Sequence, residues 1–177
     1  MNNKKLNNIV LVGFMGTGKS TIAKALAGKT GKQYISIDGL IEDREQQKIS
    51  DIFKEKGEPY FRKVEKQIVK EVMTAKDQIV DAGGGVVLDS ENVDVLKKNG
   101  TVVCLWSDPG VILERTEKYS HRPLLAVSDP ESRIKELLDQ RRSFYEKADF
   151  HVDTTDGNID RAVREIEKIK EYEQKVT

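Results

Sequence analysis

The sequence is short of the features that staple a small secreted domain or anchor a membrane protein. It has a single cysteine, so no disulfide can form within the chain. That residue, Cys104, stands in the apolar run Val102-Val103-Cys104-Leu105-Trp106 and reads as a small core residue rather than a reactive thiol. No stretch approaches the roughly 18 apolar residues of a membrane span. The polar segment Met1 to Asn8 carries no secretory hydrophobic region, so the expectation is a soluble, cytoplasmic protein. An excess of one charge is also lacking, because 30 basic and 30 acidic side chains cancel. That balance argues against nucleic acid or an anionic membrane as partner, while leaving a local basic pocket open. Only two histidines occur, and no His/Cys grouping suggests zinc. Repeats, low-complexity blocks and Pro-rich linkers are missing from the 177 residues, which fit one domain spanning 1–177. Folding at that size buries roughly 68–70% of the unfolded chain's surface, enough without a disulfide or structural metal.

What is present is an alternation of strand and helix signals. Ile9 to Val12, Gln78 to Ala82 and Thr101 to Trp106 are continuous apolar runs, as expected of parallel strands covered on both faces. Gln33 to Ile37 and Phe150 to Asp153 supply a fourth and a fifth. Ser90 is placed to cap a helix that Gly100 stops, and Asp108-Pro109 and Asp129-Pro130 each read as an N-cap and first helical residue. The helix after Pro130 sets Ile134, Leu137, Leu138, Arg141, Tyr145 and Ala148 on one face. Ile159, Ala162, Val163, Ile166 and Ile169 do the same in the last helix, and the charged run Glu42 to Lys48 reads as a solvated helix face. The pattern as a whole is α/β.

Residues 13 to 20, Gly-Phe-Met-Gly-Thr-Gly-Lys-Ser, follow the first strand directly and precede a helix, matching the Walker A pattern in the context it requires. Glycines at 13, 16 and 18 permit positive φ and let backbone N–H groups converge on phosphate oxygens at a helix N-terminus. The reading assigns Gly16, Thr17, Gly18, Lys19, Ser20 and Thr21 to ATP, with Lys19 neutralising phosphate oxygens and the Ser20 hydroxyl ligating Mg²⁺.

Other polar residues stand where an acceptor would need them. Asp38 lies at the carboxyl edge of the second strand, where open α/β sheets bind ligands. Arg62 begins a helix carrying Phe61, Val64 and Ile68 on its apolar side; Gly83, Gly84 and Gly85 follow the strand ending at Ala82. Arg141 interrupts the inward series of its helix, where a charge is expensive unless paired. Taken singly each has a plainer reading: Arg62 paired with Glu58 or Glu65, Asp38 as a helix cap, the glycines as a turn, Arg141 reaching from the core edge to solvent.

Together these residues resemble shikimate kinase. The resemblance is carried by the loop at 13–20, Ile37-Asp38-Gly39-Leu40-Ile41-Glu42, Gly57-Glu58-Pro59-Tyr60-Phe61-Arg62-Lys63-Val64-Glu65, Gly83-Gly84-Gly85, Arg122-Pro123-Leu124-Leu125, and Arg141 four residues before Tyr145. It implies a five-stranded parallel sheet in a three-layer αβα P-loop fold, with a substrate-binding lobe over about 38–65 and a mobile lid over about 115–129. The implied reaction moves the γ-phosphoryl group of ATP, with Mg²⁺, to the 3-hydroxyl of shikimate. On this likeness Asp38, Lys19 and Arg122 are the catalytic residues. Arg62 and Arg141 hold the shikimate carboxylate, for which guanidinium is well shaped. Asp38, Gly84 and Gly85 hold the hydroxyls, while Arg122 and Arg115 serve ATP, the latter by packing on adenine.

Two positions depart from the pattern the resemblance implies. Ser36 stands where an aspartate helping to hold Mg²⁺ is expected, and Asp81 stands two residues before the glycines in place of a small or neutral residue. Asp81 ends an apolar strand as a Walker B acid does, so it is assigned to the metal together with Ser20. The plainer reading gives Ser36 a water to order and Asp81 a structural hydrogen bond. His121 and His151 lack partners that would give them a catalytic role. Two other functions fit the same loop: a kinase for another small hydroxylated acid or nucleotide, and a non-catalytic nucleotide-binding module. Nothing suggests an oligomer, so a monomer is the default.

Overall fold

The computed structural model describes residues 7–117, 125 and 127–176. Five strands form one parallel sheet in the order β2-β3-β1-β4-β5, with β1 (Asn8–Val12) central. Its neighbours are β3 (Gln78–Asp81) and β4 (Gly100–Trp106), flanked by β2 (Gln33–Ser36) and β5 (Phe150–Asp153). The chain leaves β1 towards one edge and later crosses to its other side, so a topological switch point falls beside β1 at the carboxyl edge. These strands agree with the sequence reading to within a residue at each end.

Strand parity divides the core. Val10, Val12, Val80, Ala82, Val102 and Cys104 face α2 (Ile37–Glu45), α3 (Ile49–Val72), α4 (Ser90–Asn99) and α6 (Pro130–Tyr145). Ile9, Leu11, Ile79, Val103, Leu105 and Val152 face α1 (Lys19–Thr30) and α7 (Ile159–Val176). Both faces of the sheet are therefore sealed, which is why its strands read as unbroken apolar runs.

Local signals account for the helix ends with one correction. Asp129 caps α6 through Ser132 N, and α5 (Pro109–Glu117) starts at the expected proline. α4 is capped by Asp89, whose Oδ1 accepts from Glu91 N, so Ser90 is its first helical residue and not the cap. The carboxylate also reaches a helix N-terminus with its charge, which a serine cannot. In α3, Gly57 at φ 81° and ψ 167° breaks the helix, and Pro59 sits in the first turn of the restart, where its missing N–H costs nothing. Arg62 thus lies one turn into a helix rather than at its start. The expected lid begins inside α5, whose last residue is Glu117. Arg122 and His121 lie outside the described residues.

Candidate active site

β1 delivers the chain to the loop 13–18, where Gly13, Gly16 and Gly18 take φ of 137°, 79° and 86°. Other residues are strained there, and a side chain at Gly13 would also run into the Leu105 carbonyl of β4. α1 starts at Lys19 with no side-chain cap, so its first-turn N–H groups suit an anion. Lys19 Nζ arches back over the loop to the Gly13 and Phe14 carbonyls, both at 2.9 Å. Ser20 and Thr21 are exposed in the first turn. The loop is braced from behind: Thr17 Oγ1 donates to Phe14 O at 2.8 Å, and Thr154 Oγ1 donates to Thr17 O at 2.9 Å. Arg115, in the last turn of α5, donates to Gly16 O at 3.2 Å and Thr154 O at 2.8 Å. It stands at the rim of the loop, joining α5 to the turn after β5.

The glycine triplet is the meeting point of the other groups. A Cβ on Gly83 would lie 2.8 Å from Asp38 Oδ1, and one on Gly84 would lie 3.1 Å from Gly13 O. A Cβ on Gly85 would lie 2.5 and 2.6 Å from Arg62 Nη2 and Nη1. Three consecutive residues therefore touch the expected acceptor aspartate, the phosphate loop and the expected carboxylate-binding arginine in turn. Arg141 completes the group from α6: its guanidinium carbon lies 5.6 Å from the centre of the Phe14 ring, a cation–π contact on the phosphate loop. One helical turn further, Tyr145 donates to the Gly84 carbonyl at 2.8 Å.

Arg62 does make both plainer pairings. Nη1 lies 2.9 Å from Glu65 Oε2 and Nη2 lies 3.0 Å from Glu58 Oε1. The exposed Glu58 pair is worth about 0–1 kcal/mol. Glu65 differs, because its side chain is 2% exposed and sits among Phe61, Val64 and Ile68. Burial pushes the Glu65 carboxyl up, against the pull of Arg62. Burial also works against the Arg62 charge, but the two glutamates outweigh it and hold the guanidinium firmly protonated. Removing one partner of such a pair costs about 3–5 kcal/mol, so Glu65 fixes Arg62 against Gly85 instead of withdrawing it. The sequence reading offers Glu65 only as a plain ion-pair partner of Arg62; its burial, and with it the part it plays in holding the guanidinium, shows only in the fold. Tyr145 was placed on the inward face, but its hydroxyl bond was not legible.

A cavity of about 360 Å³ opens between α5, α6 and the ends of β4 and β5. It shares Phe14, Thr17 and Tyr145 with this region, yet Asp38, Arg62 and Arg141 do not line it. The residues expected to receive the acceptor therefore meet at the glycines, not in that cavity. Cys104 on its wall has its thiol pushed up to about 12 by burial, which makes it inert at neutral pH.

On the other face of the sheet, Asp81 is buried at the end of β3 and is the register partner of Ser36 on β2. Ser36 Oγ accepts from Gly39 N at 3.1 Å and caps α2. Asp81 Oδ2 accepts from the Tyr34 hydroxyl at 3.3 Å. A carboxylate and the Ser20 hydroxyl are hard oxygen donors of the kind Mg²⁺ takes, and a cation carried by a triphosphate needs only one or two protein groups. The donor set fits that metal.

Comparison with known proteins bears on most of the chain. The profile of the shikimate kinase family matches residues 15–170. A shikimate kinase of Thermodesulfovibrio yellowstonii is 45% identical over 169 residues, 96% of either chain. One from Caldanaerobacter subterraneus is 44% identical over 161 residues, covering 91% of this chain and 94% of its own. The solved structure of shikimate kinase from Acinetobacter baumannii in complex with shikimate superposes with a TM-score of 0.88 at 34% identity, covering 92% of each chain.

Proposed function

The chain belongs to the shikimate kinase family and phosphorylates shikimate at the expense of ATP, and from that premise we propose how its residues divide the work. The observation that carries the proposal is the glycine triplet, which sets Asp38, the phosphate loop and Arg62 side by side.

Arg62 and Arg141 receive the shikimate carboxylate, each held before substrate arrives: Arg62 by Glu65, Arg141 against Phe14. A rigid fork loses less entropy on binding than a side chain that must be recruited. The Gly84 and Gly85 backbone meets the acceptor's hydroxyls at close range, since neither carries a side chain. Asp38, exposed beside Gly83, orients the 3-hydroxyl and takes its proton as it attacks the γ-phosphorus of ATP. The bond from that phosphorus to the β–γ bridging oxygen breaks, giving shikimate 3-phosphate and ADP.

Gly16, Thr17, Gly18, Lys19, Ser20 and Thr21 cradle the triphosphate. Lys19 leaves the Gly13 and Phe14 carbonyls for phosphate oxygens, and with Arg122 stabilises the transferring group. Arg115 packs on the adenine from the rim it already occupies. Ser20 and Asp81 would hold Mg²⁺, whose charge would neutralise that of the phosphates. The domain acts as a monomer with a lobe over about 38–65 and a lid over about 115–129. Among the described residues no helix is long and apolar enough to cross a membrane, and we place the enzyme in the cytoplasm with its small-molecule substrates.

The deciding experiment follows ADP release with ATP and Mg²⁺ against shikimate, quinate, gluconate and nucleoside monophosphates. Turnover that requires shikimate and disappears in Lys19→Ala is expected. Turnover only with another acceptor would overturn the assignment of the arginine pair.

A further inference from the structure

The two carboxylates at the carboxyl edge of the sheet have different partners. Asp38 reaches the glycine triplet, whereas Asp81 shares the parity of Ile79 and so faces α1. Tyr34 and Ser36 share that face on the neighbouring strand, and Ser36 is the register partner of Asp81. Lys24 of α1 lies 5.5 Å from the centre of the Tyr34 ring. Lys24 is one turn beyond Ser20 on α1, and it is the tip of its side chain that reaches the ring. The Tyr34 hydroxyl meets Asp81 Oδ2 at 3.3 Å.

We propose that Tyr34 is a positioning residue for the metal, fixing the rotation of Asp81 so that this carboxylate, rather than a group at position 36, holds the water shell of Mg²⁺. The inference rests on the assignment of Asp81 to the metal and adds the residue that aims it. A carboxylate that accepts one hydrogen bond from a fixed donor has a defined plane, and outer partners of this kind govern metal affinity. Ser36 cannot share the task equally, because its oxygen accepts from Gly39 N and carries no charge. The alternative is a purely structural polar contact between β2 and β3.

The test measures metal binding directly, by electron paramagnetic resonance titration of Mn²⁺ into the complex with ADP. Shikimate affinity and metal-free ADP affinity are measured beside it. Asp81→Asn should weaken Mn²⁺ by about 10-fold or more, and Tyr34→Phe, which keeps the ring under Lys24, should weaken it in the same direction by about 10-fold or less. The double variant should be no weaker than Asp81→Asn, since Tyr34 acts only through that carboxylate. Both other affinities should hold. Unchanged Mn²⁺ binding in Tyr34→Phe alone would remove the role of Tyr34 and leave Asp81 in place. Unchanged binding in Asp81→Asn would remove the metal assignment itself. Equal losses of metal, ADP and shikimate binding would show the structural contact, and the proposal would fall.

Discussion

Tyr145 donates its hydroxyl proton to the carbonyl of Gly84 across 2.8 Å, tying α6 to the residue that lies against the phosphate loop. Helix α6 brings Arg141 to the site one turn earlier, so this bond sets both an arginine and a glycine of the acceptor region.

Tyr145→Phe should therefore lower stability by about 0.5–1.5 kcal/mol, because the half-buried carbonyl loses its donor. Thermal denaturation should fall by about 2–4 °C for each kcal/mol lost. Burial pushes this phenol up to about 12, with Arg141 pulling the other way. Its neutral form favours the fold fully below pH of about 10, and that contribution is lost as pH rises towards about 12. Near-ultraviolet titration should show one late-ionising phenol fewer in the variant than in the native chain.

Arg62→Ala and Arg141→Ala should raise the KM for shikimate by about 10- to 100-fold while kcat falls less, because their contacts to a carboxylate exist before the transition state. Glu65→Gln should move the same parameter in the same direction, as Arg62 loses its buried charge partner. Steady-state kinetics with either substrate varied separates this from nucleotide effects. A fall in kcat at constant shikimate affinity would contradict the assignment.

Gly83→Ala and Gly85→Ala should divide the site by function. Each new methyl meets the far end of a flexible side chain, Asp38 in one case and Arg62 in the other, so the fold survives by moving that side chain. Displacing Asp38 should cost mainly kcat, by about 10²-fold, as expected for a misplaced general base. Displacing Arg62 should cost mainly shikimate KM. Circular dichroism showing native content in both, with the two kinetic effects exchanged, would refute the placement.

Cys104 should resist thiol reagents in the native enzyme at pH of about 8 and react once the chain is unfolded by denaturant. Its thiol is buried in the sheet and shifted up to about 12. Rapid native modification, followed by colour release, would mean that the cavity beside it opens.

The strands and most helix starts were legible because their causes are local: apolar runs, proline at the first helical turn, aspartate before it. The Walker loop was legible for the same reason, since glycine spacing and backbone geometry are one fact. Arg62 and Arg141 could be suspected from charges on apolar stripes, but not how they are held. The Arg62–Glu65 pairing was legible at helical spacing, but not that Glu65 is buried; the Tyr145 bond escaped because a hydrogen bond between segments far apart in sequence leaves no periodic trace. Likewise, the pairing of Ser36 with Asp81 needs a strand register that only the folded sheet supplies. Asp89 took the cap expected of Ser90 because two adjacent residues both suit that position and the charged one binds better.

The helices that carry Arg62 and Arg141 both pack on one side of the sheet, while the helix that opens at Lys19 packs on the other. An engineer wishing to retarget this enzyme to a different small acid could redraw positions 62, 85 and 141 as a cassette, leaving the phosphate-handling half untouched by the edits.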